Sequence, residues 1–131
     1  MLVFCYTIPT KFVFDLDGTL CFDGMTMLKE LQEVLLTAPK YGHEIIFATA
    51  SSYRDCLSIL EGELEKLTVV GLNGGEVFQD EYLVSQYTIP SHALRTIVSY
   101  CDTYNLPYFI DDTFNYAIQN PNQIPFLSNV D

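Results

Sequence analysis

The sequence predicts an α/β fold: a doubly wound parallel sheet over residues 1–87, then the start of a smaller α+β unit over residues 88–131. Three observations predict it. Short apolar, β-prone runs alternate with helical periodicity as far as Leu72, and the order β-α-β-α-β implies parallel strands joined by right-handed crossovers. One apolar run, Phe12–Phe14 within the strand Lys11–Leu16, ends in two aspartates, Asp15 and Asp17, and open α/β sheets bind ligands at the carboxyl ends of their strands. Beyond Gly75 the pattern changes to a hairpin, a helix and two further short strands.

Each element has a local cause. Leu2–Ile8 is rich in Val, Phe, Tyr and Ile and reads as a strand that Pro9-Thr10 ends. Lys11–Leu16 reads as the central strand. Met27, Leu28, Leu31, Val34, Leu35 and Ala38 fall at helical spacing, and Pro39 and Gly42 close that helix. Glu44–Ala48 is a buried strand ending at Thr49. Ser51 or Ser52 caps a helix that runs to about Leu67, with Cys56, Leu57, Leu60, Leu64 and Leu67 as its apolar stripe. Thr68–Leu72 is a third strand, and Asn73-Gly74-Gly75 a turn. Together these make a Rossmann-like arrangement. Glu76–Phe78 and Tyr82–Thr88 form a hairpin around Gln79-Asp80-Glu81. Pro90-Ser91 opens a helix to about Asn105, with Ser91 as its cap. Pro107–Ile110 and Asn115–Ile118 are strands, and the tail from Asn120 has little periodicity.

Composition narrows the function. The 131 residues suit one domain of ordinary size, and nearly half are apolar, enough for a real core. Seventeen acids against six bases give a net charge of −11. That balance argues against nucleic acid, whose phosphates need Lys and Arg, and against anionic membranes. It leaves a phosphate substrate open, because a divalent cation reverses the local field. Cys5, Cys21, Cys56 and Cys101 lie far apart without zinc spacing and read as reduced, mostly buried thiols of a cytoplasmic protein. Met1–Ile8 is too short to span a membrane and has no basic flank or cleavage pattern, so no secretion is expected.

The chemistry sits in Phe12–Leu20: Phe-Val-Phe-Asp-Leu-Asp-Gly-Thr-Leu. Asp15 and Asp17 in a solvated turn would be the plain reading, but an apolar run ending in paired acids, glycine and a hydroxyl, in that order, is more specific. The stretch closely resembles the DxDGT nucleophile motif of the haloacid dehalogenase superfamily. Ile45–Thr49 resembles the superfamily's second motif, a strand ending in Thr or Ser. Gly71–Val77 resembles the Asn-Gly turn of the Cof-type branch, where the chain leaves the core for its cap. Leu106–Gln119, with Asp111-Asp112-Thr113, resembles a strand pair inside that cap.

The resemblance implies a Mg²⁺-dependent phosphatase acting on a small phosphorylated metabolite such as a sugar phosphate. Asp15 would be the nucleophile, since an ionised carboxylate can form a mixed anhydride that water hydrolyses. Asp17 would be the general acid/base. The metal would take the Asp15 side chain and the Asp17 backbone carbonyl. Gly18 lets the backbone approach phosphate, Thr19 buttresses the loop, and Thr49 donates its hydroxyl to phosphate, unless it merely caps the next helix. Asn73 orients its loop, unless it is an ordinary turn residue. His43 and His92 read as loop and exposed residues rather than bases.

The chain also departs from the family. Ala50 and Ser51 stand where Cof-type enzymes carry Gly and Arg. No lysine follows Lys66, and the family's later acidic motif is absent unless Asp111-Asp112 replaces it in a compact form; a polar turn of the cap is the plainer reading. The expectation is therefore the N-terminal part of a protein about twice as long, weak or inactive alone. Without later strands, the Lys11–Leu16 strand keeps an apolar edge that invites self-association or cover by Leu2–Ile8. Two other readings stand beside the phosphatase: a catalytically silent ligand- or partner-binding domain, and a phosphomutase.

Overall fold

The computed structural model of the protein describes residues 8–120. The Leu2–Ile8 strand lies outside them except for Ile8, which is in no regular element, and so does the tail beyond Asn120. The chain divides into two compact units between Gln86 and Tyr87.

The first unit is built on a five-stranded sheet in sequence order: β1 (Lys11–Phe14), β2 (Glu44–Ala48), β3 (Thr68–Gly71), β4 (Glu76–Gln79) and β5 (Tyr82–Gln86). β1, β2 and β3 are parallel, while β4 and β5 continue the sheet antiparallel. This is the predicted α/β class. Among the described residues, however, β1 is not central: it is the outermost strand of the sheet and pairs with β2 alone. Its apolar side chains are correspondingly open, Phe12 at 40% and Val13 at 62% exposure.

Helix α1 (Lys29–Thr37) is shorter at its start than its periodicity suggests. Its last turn tightens into a 3-10 segment over Ala38–Tyr41 that contains Pro39, which can donate no hydrogen bond to a continuing helix. The predicted long second helix is broken. Ser52 caps it, its hydroxyl accepting from the Asp55 amide at 3.4 Å, but α2 spans only Tyr53–Cys56. Turns follow, and a 3-10 segment covers Gly62–Lys66. Gly62 has φ 67°, a conformation no right-handed helix accommodates. The apolar stripe is still buried at Cys56, Leu60 and Leu64, so packing is served by two short pieces.

Alternation along the strands builds the core. Ile45 and Phe47 on β2, Val69 on β3 and Phe78 on β4 are buried with Leu16, Leu35, Leu60 and Leu64. Tyr53 stacks on Phe78 with ring centroids 3.8 Å apart.

In the second unit, α3 (Ser91–Thr103) begins with Pro90 at the cap position. Ser91 is the first helical residue and no side chain caps the helix. Proline's fixed φ suits this entry. β6 (Tyr108–Asp111) and β7 (Tyr116–Gln119) form a separate two-stranded antiparallel sheet.

The β4–β5 hairpin turns on Asp80 and Glu81, whose φ values of 50° and 67° have the sign a two-residue hairpin loop favours. Residues other than Gly, Asn and Asp bear this conformation at a cost. Glu81→Gly should stabilise the protein by about 0.5 kcal/mol, the strain relief exceeding the added chain entropy. Denaturant unfolding would measure it.

Candidate active site

The site forms where the parallel strands end. The register pairing Phe14 with Phe47, and Ala48 with Val70, brings the residues after β1, β2 and β3 to one end of the sheet. Leu16 is fully buried, while Asp15 and Asp17 on either side of it are exposed. The apolar residue thus anchors the turn and leaves two carboxylates, two residues apart, at the surface.

The backbone then curls tightly. The amides of Thr19, Leu20 and Cys21 all donate to the Leu16 carbonyl, and Gly18, at φ 74°, donates to the Cys21 carbonyl at 2.7 Å. That curl returns Thr19 to Asp15: its hydroxyl donates to Asp15 Oδ2 at 3.2 Å, the buttress expected of it. Downstream, Asp23 pins the next turn, accepting from the amides of Met25 and Thr26 and, at 2.5 Å, from the Thr26 hydroxyl.

The β2 end contributes Thr49 and Ser51. Thr49 is buried, its amide donates to the Val70 carbonyl at 2.9 Å, and its hydroxyl oxygen accepts from the Ser51 amide at 3.1 Å. Ser51 then donates its own hydroxyl to Asp17 Oδ2 at 3.3 Å. This contact escapes a sequence reading that sees Ser51 only as the residue standing in place of an arginine. Its one sequence signal is a second hydroxyl two residues past the strand-end threonine. Asn73, at φ 54°, joins through its backbone: its amide donates to the Thr49 carbonyl at 3.1 Å, and its side chain is exposed. Leu72 likewise donates to the Ser51 carbonyl at 2.9 Å.

Asp15, Asp17, Gly18, Thr19, Thr49 and the Asn73 backbone therefore belong to one strand-end cluster. His43 stands at the amino end of β2, edge-on to Phe12, so it is far along the strand from Thr49. His92 is exposed on α3. Asp111 and Asp112 lie at the turn between β6 and β7, where the Asp112 amide donates to the Asn115 carbonyl at 2.8 Å. That hairpin is not part of the five-stranded sheet, which agrees with a polar turn.

The donor set suits a hard cation. Two exposed carboxylates meet the hydroxyls of Thr19 and Ser51, and among the described residues no Lys or Arg forms an ion pair with Asp15 or Asp17. No cluster of three or more His, Cys, Asp or Glu side chains forms a metal site among the described residues.

A sequence model of haloacid dehalogenase-like hydrolases matches residues 12–129. The chain belongs to this family. Among solved structures, a haloacid dehalogenase-like hydrolase from B. subtilis is 27% identical over 78% of this chain and 35% of its own, with TM-score 0.67. A haloacid dehalogenase superfamily phosphatase from Bacteroides thetaiotaomicron is 17% identical, covers 98% of this chain and 48% of its own, and has TM-score 0.74. A subclass IIB sugar phosphatase is 21% identical over 85% and 44%, with TM-score 0.60. The haloacid dehalogenase-like chain thus spans half or less of the length of these structures. No curated protein sequence gives a match. No helix among the described residues is long and apolar enough to cross a membrane.

Two titrations follow from the geometry. Burial, reinforced by Asp17, Asp55 and Glu76, pushes the Cys56 thiol up to about 12. Cys56 should resist iodoacetamide at pH 8 in the folded protein and react once unfolded, as peptide mapping would show. Because its folded value lies above the unfolded one, its contribution to stability is complete below about pH 8.5 and is lost as pH rises toward 12. Asp23 behaves oppositely. The Thr26 hydroxyl first, then the Met25 and Thr26 amides, hold its carboxyl far below the usual range. Its contribution is present above about pH 4 and lost as pH falls through and below it. Asp23→Ala should lower the melting temperature at pH 7, with the difference shrinking toward pH 2.

Proposed function

We propose that this chain carries the phosphoryl-accepting centre of a phosphatase that hydrolyses small phosphate monoesters, sugar phosphates among them, through an aspartyl-phosphate. The observation that carries the reading is the pair Asp15 and Asp17: two exposed carboxylates after one parallel strand, each receiving a hydroxyl hydrogen bond, from Thr19 and Ser51. Likeness to a subclass IIB sugar phosphatase supports the substrate class.

The residues divide the work. Asp15 attacks phosphorus, forming an acyl-phosphate bond as the ester oxygen departs. Asp17, in its protonated form, gives that oxygen a proton and then takes one from the water that cleaves the acyl phosphate, which returns Asp15 to the carboxylate and Asp17 to the acid and releases inorganic phosphate. Thr19 and Ser51 hold the two aspartates in place. Thr49 lends its hydroxyl, Gly18 lets the backbone come close to phosphate, and Asn73 holds the loop beside them. Mg²⁺, bound through Asp15 and the Asp17 backbone carbonyl, would offset the charge on the phosphoryl oxygens. The free thiols at Cys21, Cys56 and Cys101 support placement in the cytoplasm.

The 131 residues alone should be slow, because they include neither a lysine after Lys66 nor a recognisable later acidic motif. Hydrolysis of p-nitrophenyl phosphate by this chain should require Mg²⁺, stop with EDTA and fall at least about 100-fold in Asp15→Asn. Turnover that survives this substitution would sink the assignment. Magnesium binding without any turnover would instead favour a silent binding domain, and an isomerised sugar phosphate would favour a mutase.

Among the described residues β1 has a partner strand on one side only and exposes Val13, which supports self-association. Val13→Lys should weaken it, and sedimentation velocity across a concentration series would read the change. A wild-type chain that stays monomeric throughout would count against it.

A further inference from the structure

We infer that Glu76 is the positioning residue for Asp17, acting through the loop that carries Ser51. This rests on the phosphatase reading only in the role given to Asp17. Glu76 is 0% exposed, at the first position of β4. A carboxylate taken wholly out of water is costly unless hydrogen-bonded, so its geometry is informative. Oε1 accepts from the Tyr53 amide at 2.6 Å, a buried bond across 23 residues of sequence. The bond fixes the chain two residues after Ser51, on the side opposite to the Thr49 hydroxyl that accepts from the Ser51 amide. The backbone around Ser51 is therefore held on both sides, and its hydroxyl donates to Asp17 Oδ2 at 3.3 Å.

Gly71 gives independent support. It is buried at the end of β3 with ordinary negative φ, so no unusual backbone conformation requires glycine there. Space does: a Cβ at this position would sit 2.9 Å from Glu76 Oε1 and 3.1 Å from the Ser51 carbonyl oxygen. The glycine leaves room for the carboxylate and the Ser51 loop together, which links the same two groups.

The test compares Glu76→Leu, Glu76→Gln and Ser51→Ala in the full chain, reading Tyr53 amide exchange and the Asp17 χ1 populations from three-bond couplings by NMR. In Glu76→Leu the Tyr53 amide should exchange at least tenfold faster, and Asp17 should average among rotamers as it does in Ser51→Ala. Glu76→Gln, which keeps an acceptor oxygen, should restore both. The double variant Ser51→Ala/Glu76→Leu should be no worse at Asp17 than either single one. Should Glu76→Leu fail to fold, Gly71→Ala displaces the carboxylate by steric means and should disturb Asp17 in the same way. A Tyr53 amide released while Asp17 keeps its rotamer, or Ser51 and Glu76 effects that simply add, would overturn the proposal. Turnover is read separately: Mg²⁺-dependent hydrolysis and its loss in Asp15→Asn bear on the phosphatase reading alone and leave the Glu76–Asp17 coupling to be decided by NMR.

Discussion

The site depends on where the β1–β2 ladder stops. Four residue pairs, from Lys11 with Glu44 to Phe14 with Phe47, set two strand ends level. A slip of one residue would turn Leu16 toward water and the two aspartates toward Phe47. Burial of Leu16 and Phe47 forbids this slip, so hydrophobic packing fixes the placement of charged groups. The acids need no hydrophobic favour of their own. They are held out by what lies between them.

A second constraint comes from the β3–β4 connection. Leu72 and Asn73 take left-handed backbone angles, unusual for a leucine above all, and their amides meet the carbonyls of Ser51 and Thr49. This strain is borne where two loops must lie side by side. The net charge of −11 makes the arrangement more demanding, since Asp17 and Glu76 both act on Cys56 and, among the described residues, no Lys or Arg forms an ion pair with Asp15 or Asp17. Hydroxyl and amide donors do the compensating here, and neutral donors leave room for a cation that fixed basic residues would repel.

Much of this was legible in the sequence, for particular reasons. The Asp15–Asp17 pair was legible because the strand before it is apolar and the turn after it has its own signature. Glu44–Ala48 was legible to the residue, because Gly42 and Thr49 punctuate it. The second helix was not: Cys56, Leu60 and Leu64 have helical spacing, but two short pieces around Gly62 bury them equally well. Periodicity reports which residues are buried and not the continuity of the backbone between them. Ser51 and Glu76 were illegible for another reason. One is a serine in a polar loop and the other a glutamate opening a hairpin, and both draw their meaning from contacts across 34 and 23 residues of sequence.

The one-sided pairing of β1 has a consequence for how the molecule comes apart. Among the described residues β1 is held by a single ladder, whereas β2 and β3 are held on both flanks. Segments with fewer buried contacts open at lower free energy than the body of the protein. Warming should therefore loosen the strand that leads to Asp15 before it disturbs the layer around Phe47. The layer around Phe47 can remain intact while the strand end beside Asp15 has already loosened, so the opening of that strand and the loss of the fold would be two events on the temperature axis rather than one.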